Sequence, residues 1–547
     1  MEKILILDFG SQTTALIGRR VRETGVYSEI IPGDSDLAAV DFAGVKGIIL
    51  SGSPESVYAN GASVDQSIYT CGLPLLGICY GLQRMTADLG GEVAPLPKRE
   101  YGPVPVTLDY YFDPENPEFT EGKSPSAIAF FARLSDDAGH SSYMPSSASM
   151  LTFTAWMSHG DTLTVLAPGF VQCGTSATGY PAVVYHQEKP WIGLQFHPEV
   201  THCEHGTDLL RAFVFGVCGA DGGWSMEHYL GELCETVRRK AGNKTVLLLI
   251  SGGVDSSVAA ALLLKSLPAE AVHLMYVDTG LMRKNETEEV EAALKKLGAK
   301  HLHIIHAEND FLPALAGKTA PEEKRNIIGD LFIKVQEHEV ARLGLPPDYM
   351  LVQGTLYTDL IESGKGVGGK AHVIKSHHNV ASPLVAALRQ EGRIIEPLEK
   401  LYKDEARALG RLLSLDEKII SRHPFPGPGL AVRILGEVTR EKCAILREAD
   451  SIYTEELRKR GLYDQIWQAF AVLLPVRSVG VAGDERHYGY VLALRAVTSA
   501  DGMTADVFPF PPKDLLEIAA LITNTVPAIG RVTYDISSKP PATIEWE

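Results

Sequence analysis

A cysteine between glycines and a distant histidine–glutamate pair are the residues of this 547-residue chain best suited to covalent chemistry. Gly77-Ile78-Cys79-Tyr80-Gly81 follows an apolar run and precedes a helical pattern beginning at Leu82-Gln83. The flanking glycines permit a sharp turn that exposes the sulfur, and a helix N-terminus behind it favours the reactive thiolate. Downstream, Gln195-Phe196-His197-Pro198-Glu199 offers a base and a carboxylate to orient it, since residues two apart in an extended segment point the same way. Cys79 would attack, His197 would take and return the proton, and Glu199 would hold the imidazole. Backbone N–H groups near Ser51-Gly52-Ser53 and at Tyr80 would face the developing oxyanion. Alone, Cys79 reads as a small buried hydrophobe and His197 as a satisfied core histidine. The elbow and the H-x-E pair together favour catalysis.

A second constellation lies at Val246 to Lys265, where an apolar run breaks into Ser251-Gly252-Gly253-Val254-Asp255-Ser256-Ser257 and resumes as an alanine-rich helix. Strand, glycine turn and helix leave backbone N–H groups and a positive helix end facing one point, which is a cradle for phosphate. No lysine follows the glycines, so this is not the G-x-x-x-x-G-K-[ST] loop. Ser251, Ser256 and Ser257 supply hydroxyls, and Asp255 can hold a metal ion on the phosphates. Such a loop suits an enzyme that grips the pyrophosphate end of ATP and lets the α-phosphate be attacked. The bland alternative is a glycine-rich β–α turn without a ligand.

Positioning these residues requires parallel sheets. Lys3 to Leu7, Gly47 to Leu50 and Leu73 to Ile78 read as buried strands, with a helix through about Arg22 between the first two. Val272 to Val277, Leu302 to Ile305 and Met350 to Val352 form a second series after the phosphate loop. Strands alternating with helices predict crossovers and sites at the strands' carboxyl ends. Asp109 to Met150, rich in Ser, Asp and Pro, reads as a surface excursion. A glycine-rich break at Cys218 to Gly223 and the run His423-Pro424-Phe425-Pro426-Gly427-Pro428-Gly429 mark two boundaries. They divide the chain into 1–220, 221–422 and 423–547: two α/β domains followed by a smaller α+β domain, with a helix over Glu441 to Arg460 and strands at Tyr490 to Val497 and Arg531 to Ile536.

The balance of 45% hydrophobic residues predicts packed cores, and a net charge of −17 argues against a broad nucleic-acid surface. Seven cysteines, odd in number and never spaced C-x-x-C, give neither a zinc cluster nor a disulfide framework. No run has the apolar length of a membrane helix, and the first residues lack the form of a signal peptide. The expectation is a cytoplasmic protein with no nucleic-acid or membrane partner.

D-F-G-S-Q at Asp8 to Gln12, G-I-C-Y-G-L-Q at Gly77 to Gln83, M-S-H-G-D at Met157 to Asp161 and Q-F-H-P-E-V at Gln195 to Val200 resemble the class I glutamine amidotransferases. Joined to S-G-G-V-D-S-S and a tail K-P-P-A-T-I-E-W-E, the chain as a whole resembles the glutamine-hydrolysing GMP synthases, outside 109–150. The resemblance implies that 1–220 hydrolyses glutamine, that 221–422 is an ATP pyrophosphatase adenylating xanthosine monophosphate (XMP), and that 423–547 serves dimerisation and XMP binding. Ammonia would then displace AMP to give GMP, in a homodimer using ATP with Mg²⁺. It also implies roles for single residues. Gly52, Tyr80, Gln83, His159 and Asp161 would bind glutamine or its oxyanion. Asp278 would lie near the nucleotide, and Arg283, Lys539 and Glu545 would bind XMP. Lys375, His377 and His378 would form a lid, while Glu396, Lys403 and Asp404 would associate with ATP or join Asp255 at Mg²⁺.

Three departures from the family pattern stand out. Ser53 occupies a position usually glycine, which would strain the oxyanion loop if φ there were positive. Ala381-Ser382-Pro383-Leu384 replaces G-G-L-P after the lid histidines. Ala482 replaces a longer side chain. Two other functions stay open: the same two modules acting on another adenylated acceptor, and a nucleotide-binding scaffold without catalysis.

Overall fold

The computed structural model describes residues 1–58, 61–108, 123–137, 151–357, 383–482, 485–499 and 504–547. These fall into two compact units, Met1–Tyr229 and the described residues from Leu230 onward.

The first unit is built on one nine-stranded sheet. Its strands are β1 (Lys3–Asp8), β2 (Tyr27–Pro32), β3 (Val45–Leu50), β4 (Leu75–Ile78), β5 (Glu92–Leu108), β6 (Leu151–Val165), β7 (Phe170–Ser176), β8 (Pro181–His186) and β9 (Trp191–Leu194). Their order is β2-β1-β3-β4-β9-β8-β7-β5-β6. The half from β2 to β9 is parallel, as expected, because its Ile- and Leu-rich strands are covered on both faces. Beyond β9 the sheet is antiparallel. There β6 largely alternates buried and more exposed residues, the pattern of a strand covered on one face. Helices α1 (Thr14–Glu23) and α2 (Tyr80–Asp88) follow β1 and β4.

The segment expected to be a surface excursion contains a core helix, α3 (Pro125–Asp137). Ala127, Phe130, Phe131 and Leu134 form a stripe of helical spacing buried in the unit's main cluster. Gly216 faces this helix so closely that a Cβ there would stand 2.7 Å from the Ala129 carbonyl oxygen. The Ser-, Asp- and Pro-rich flanks dominate the composition of 109–150 and mask that apolar stripe.

The second unit opens with a five-stranded parallel sheet of order β12-β11-β10-β13-β14. The strands are β10 (Val246–Ile250), β11 (Val272–Asp278), β12 (His301–His306), β13 (Met350–Val352) and β14 (Ile394–Ile395). Helix α4 (Val254–Ser266) follows the central β10 and is buried almost throughout, which its Ala/Leu/Val composition allows. Helices α5 (Glu286–Lys296) and α6 (Lys403–Leu412) come later in the same unit. A last sheet pairs β15 (Gln468–Ala482) antiparallel with β16 (Glu485–Thr498). Beside β16 lie a short antiparallel β17 (Asp506–Val507) and a parallel β18 (Ile529–Tyr534). Helices α7 (Arg440–Lys459) and α8 (Pro512–Thr525) pack with it. One apolar cluster runs from Val277 and Phe311 through Leu430 and Leu446 to Leu494 and Ile522, so residues on both sides of position 422 share a core. No described helix is long and apolar enough to cross a membrane.

Candidate active site

In the first unit, Cys79 sits between β4 and α2 with φ 50° and ψ −107°, the strained turn expected of a nucleophile elbow. Glycine is required on both sides. A Cβ at Gly77 would lie 2.7 Å from the Leu82 nitrogen, and one at Gly81 would lie 2.3 Å from the Leu50 carbonyl oxygen. Because β9 is the neighbour of β4, the residues that follow it arrive beside the cysteine. His197 Nδ1 and Glu199 Oε1 are 2.7 Å apart, and both side chains are buried. A carboxylate only accepts, so Nδ1 carries a proton and the other ring nitrogen is left for the thiol. Burial works against charge on His197, but Glu199 and the hydrogen-bonded Cys79 outweigh it and hold the imidazole well above its usual value. The predicted trio is thus assembled.

A Cβ on Gly52 would meet His197 Cε1 at 3.1 Å and Ser11 Oγ at 3.3 Å, so this position admits little beyond glycine. Ser53 does not have positive φ, and the strain considered for it is absent. Tyr80 begins α2, its hydroxyl donating to the Ala62 carbonyl at 2.7 Å. Gln83 Nε2 donates to the Asp161 carbonyl at 2.9 Å, and His159 Nδ1 reaches that same oxygen at 2.9 Å. Asp161 therefore joins these groups through its main chain. Gln195, not singled out by sequence, has its amide 3.8 Å from the Cys79 sulfur.

In the second unit, the phosphate loop leaves β10 at its carboxyl end. Gly252 has φ +77°, where a side chain is strained, and α4 begins at Val254 with Asp255 in its first turn. The loop's hydroxyls are knitted together: Ser256 Oγ accepts from the Ser251 N–H at 3.2 Å, and Ser257 Oγ donates to the Gly253 carbonyl at 2.9 Å. Asp255 faces the Lys403 ammonium, at the start of α6, with 2.7 Å to Oδ1. Asp404 lies in the first turn of α6. Asp278, at the end of β11, accepts from Gly280 N–H and Thr287 Oγ1 at 2.9 and 2.8 Å.

Arg283 donates to the His423 and Pro424 carbonyls at 2.9 and 3.2 Å and stacks over Phe425, while its Nη1 is buried without a hydrogen-bond partner. Beneath the loop, buried Arg422 reaches the Gly252 carbonyl at 3.2 Å and Glu286 at 3.1 Å. Glu286 in turn accepts from the Arg283 N–H at 3.0 Å. Glu545 is gripped by Arg433 at 2.8 and 3.1 Å and by Gln468 at 2.6 Å. The Lys539 backbone bridges to Ala505. Glu396 accepts a two-pronged contact from Arg389 at 2.7 and 3.0 Å and a hydroxyl from Thr355 at 2.9 Å, so Asp255 and Glu396 stand in separate ion pairs. Among the described residues no group of three His, Cys, Asp or Glu is gathered as a metal would require. The expected lid residues Lys375, His377 and His378 and the altered 381–382 lie outside the described residues. The side chains of Pro383, Leu384 and Ala482 do so as well.

Sequence reasoning passed over Glu100, Glu286, Arg422, Arg433 and Gln468. Arg433 had a signal, four residues after the Pro- and Gly-rich run; a buried acid such as Glu286, on the first turn of a charged helix, had none.

Residues 5–217 match the family "Glutamine amidotransferase class-I". Residues 229–319 match "Asparagine synthase" and residues 455–546 match "GMP synthase C terminal domain". Over its full length the chain is 46% identical to a protein of Chlorobium chlorochromatii named "GMP synthase [glutamine-hydrolyzing]", covering all of that relative. It is 47% identical to proteins of the same name from Symbiobacterium thermophilum and Brucella suis, covering 99% of each.

Proposed function

Because the chain belongs to the glutamine-hydrolysing GMP synthases, an ATP-dependent ligase family making GMP with glutamine as nitrogen donor, we propose the following division of labour among its residues. Cys79 attacks the glutamine carboxamide, His197 delivers the proton that frees ammonia, and Glu199 holds the imidazole. The Gly52 loop and the Tyr80 N–H face the oxyanion, while Gln83, His159 and the Asp161 carbonyl shape the glutamine pocket. The strained Cys79 beside a ready-made His197–Glu199 pair is the observation that carries this reading.

Ser251 to Ser257 and Asp278 hold ATP, and Arg283, Lys539 and Glu545 receive XMP, whose O2 attacks the α-phosphate. Adenylation turns a poor leaving group into a good one, and ammonia then displaces AMP. The unpaired buried Nη1 of Arg283 suits an anionic ligand. Mg²⁺ would accompany ATP, since it takes one or two carboxylates plus phosphates, and Asp255, here paired with Lys403, is the first carboxylate we propose for it. It would neutralise charge on the departing pyrophosphate. Glu396, in its ion pair with Arg389 and its bond to Thr355, and Asp404 are the further carboxylates we propose for ATP or Mg²⁺. Lys375, His377 and His378 complete the proposal as a lid.

We further propose three domains, 1–220, 221–422 and 423–547, working as a cytoplasmic homodimer. Exposed apolar side chains on the last sheet and helix, among them Val476, Tyr488 and Leu516, support a self-association surface. Seven free cysteines support a reducing compartment. Incubation with glutamine, ATP, Mg²⁺ and XMP tests the whole. AMP, pyrophosphate and GMP should appear in equal amounts; ADP release, or turnover that ignores XMP, would overturn it.

A further inference from the structure

Beneath the phosphate loop lies a buried ion pair that the reaction scheme leaves without a role. Arg422 and Glu286 are 8% and 2% exposed and stand 3.1 Å apart. Each also holds a piece of main chain. Arg422 Nη1, the nitrogen that meets Glu286, donates as well to the Gly252 carbonyl at 3.2 Å. The other Glu286 oxygen accepts the Arg283 N–H at 3.0 Å. Glu289, three residues further along α5, takes Arg422 Nη2 at 2.6 Å.

These contacts close a ring. Arg422 directly precedes His423 and Pro424, whose carbonyls accept the Arg283 guanidinium. Arg283 is thus held at its main chain by Glu286 and at its side chain by the segment leaving Arg422. His423 has anchors of its own: its N–H donates to the Tyr463 hydroxyl at 3.0 Å, its Nδ1 accepts from the Ala469 N–H at 3.1 Å, and its ring stacks on Tyr463. From the ring, the bond from Arg422 to the Gly252 carbonyl reaches out to the phosphate loop. Gly252 is buried, so its carbonyl is costly without a donor. A Cβ there would lie 3.1 Å from Glu286 Oε1, which seats the loop directly on the pair.

We infer that Glu286 and Arg422 are positioning residues that tie the phosphate loop to Arg283 and so fix the spacing between ATP and XMP. The inference rests on the reading that Ser251 to Ser257 hold ATP and Arg283 holds XMP. Adenylation joins an XMP oxygen to the α-phosphate, and an error of about 1 Å in such an approach costs about a hundredfold in rate. Arg422 supports the loop from behind rather than meeting phosphate, because Nη1 and Nη2 are engaged by a carbonyl and two carboxylates.

XMP-dependent exchange of labelled pyrophosphate into ATP, catalysed by the full-length protein without a nitrogen source, reads the tie. Arg422→Met should raise KM for ATP by about tenfold and leave KM for XMP within about threefold, because Arg283 keeps Glu286 and the His423 carbonyl. Glu286→Ala frees both ends and should raise both values by about tenfold. Arg422→Lys should return KM for ATP to within about threefold of wild type, since one nitrogen makes both contacts and an ammonium can replace it. Glu286→Gln keeps the shape but has only one accepting atom, so it should raise at least one KM by about fivefold even if the Ala variant does not fold. A lower kcat with both KM values unchanged, equal rises for ATP and XMP in Arg422→Met, or no recovery in Arg422→Lys would overturn the inference. Arg283→Met and Asp255→Ala are carried alongside. Should they leave KM for XMP and for ATP unchanged, the placement of the substrates fails rather than the tie.

Discussion

The two catalytic regions prepare for substrate in opposite ways. Around Cys79 the groups proposed to react face one another already: the backbone is strained, and His197 and Glu199 are 2.7 Å apart. Around the phosphate loop the charged groups are paired with each other, Asp255 with Lys403, Glu396 with Arg389, and Glu545 with Arg433. The difference follows from what each region must bind. Glutamine brings an amide whose chemistry needs a nucleophile in place beforehand. ATP and XMP bring large negative charge, so a site built of unopposed cations and anions would leave buried charges without partners when empty. Internal pairs satisfy most of those groups, Arg283 Nη1 excepted, and in our proposal phosphate and purine exchange for them.

The sharpest way to break this comparison is Cys79→Ala. Glutamine-dependent synthesis should fall by at least about a thousandfold while added ammonia still yields GMP, because only the preassembled region is touched. Equal loss with both nitrogen sources would show that the regions are not separable.

Next in size is Glu545→Ala, which leaves the Arg433 guanidinium buried with its main counter-charge gone. Breaking such a pair costs about 3–5 kcal/mol, read in the denaturant midpoint of the second unit. A shift below about 1 kcal/mol would mean that the pair is not what holds the tail.

Glu199→Gln should lower glutamine kcat/KM by about tenfold and move the alkaline limb of its pH profile to lower pH. The sign follows from the raised pKa of His197: Glu199 keeps the imidazole protonated as pH rises, and the amide does not. The same shift stabilises the fold fully below the ordinary histidine value of 6.5, and that contribution is lost as pH rises through the higher folded value. An unmoved limb would detach Glu199 from His197.

The smallest effect is expected of Thr355→Val. Glu396 keeps its two contacts to Arg389, so stability should change by about 1 kcal/mol or less, with GMP synthesis retained. A large loss of synthesis would place Glu396 in direct touch with substrate.

Sequence alone exposed the preassembled region better than the paired one. An elbow needs glycines at fixed offsets, and a histidine two residues from a carboxylate in an extended run has one geometry, so Cys79, His197 and Glu199 could be read in advance. The parallel strands were equally legible from their unbroken Ile, Leu and Val runs. Ion pairs are set by long-range folding: nothing near Glu545 announces Arg433, 112 positions earlier. The antiparallel half of the first sheet escaped notice because β5 and β6 carry prolines, threonines and exposed residues between their buried positions. Helix α3 escaped because its flanks set the average.

The left-handed turn at Cys79 has an evolutionary side. Every residue but glycine is uncomfortable at φ 50°, so thiol chemistry is maintained there against the chain's own thermodynamic preference. A descendant supplied with free ammonia, and so relieved of selection for glutamine use, would gain stability by drifting to glycine at this one position. The elbow therefore marks where this fold would first betray a change of nitrogen source.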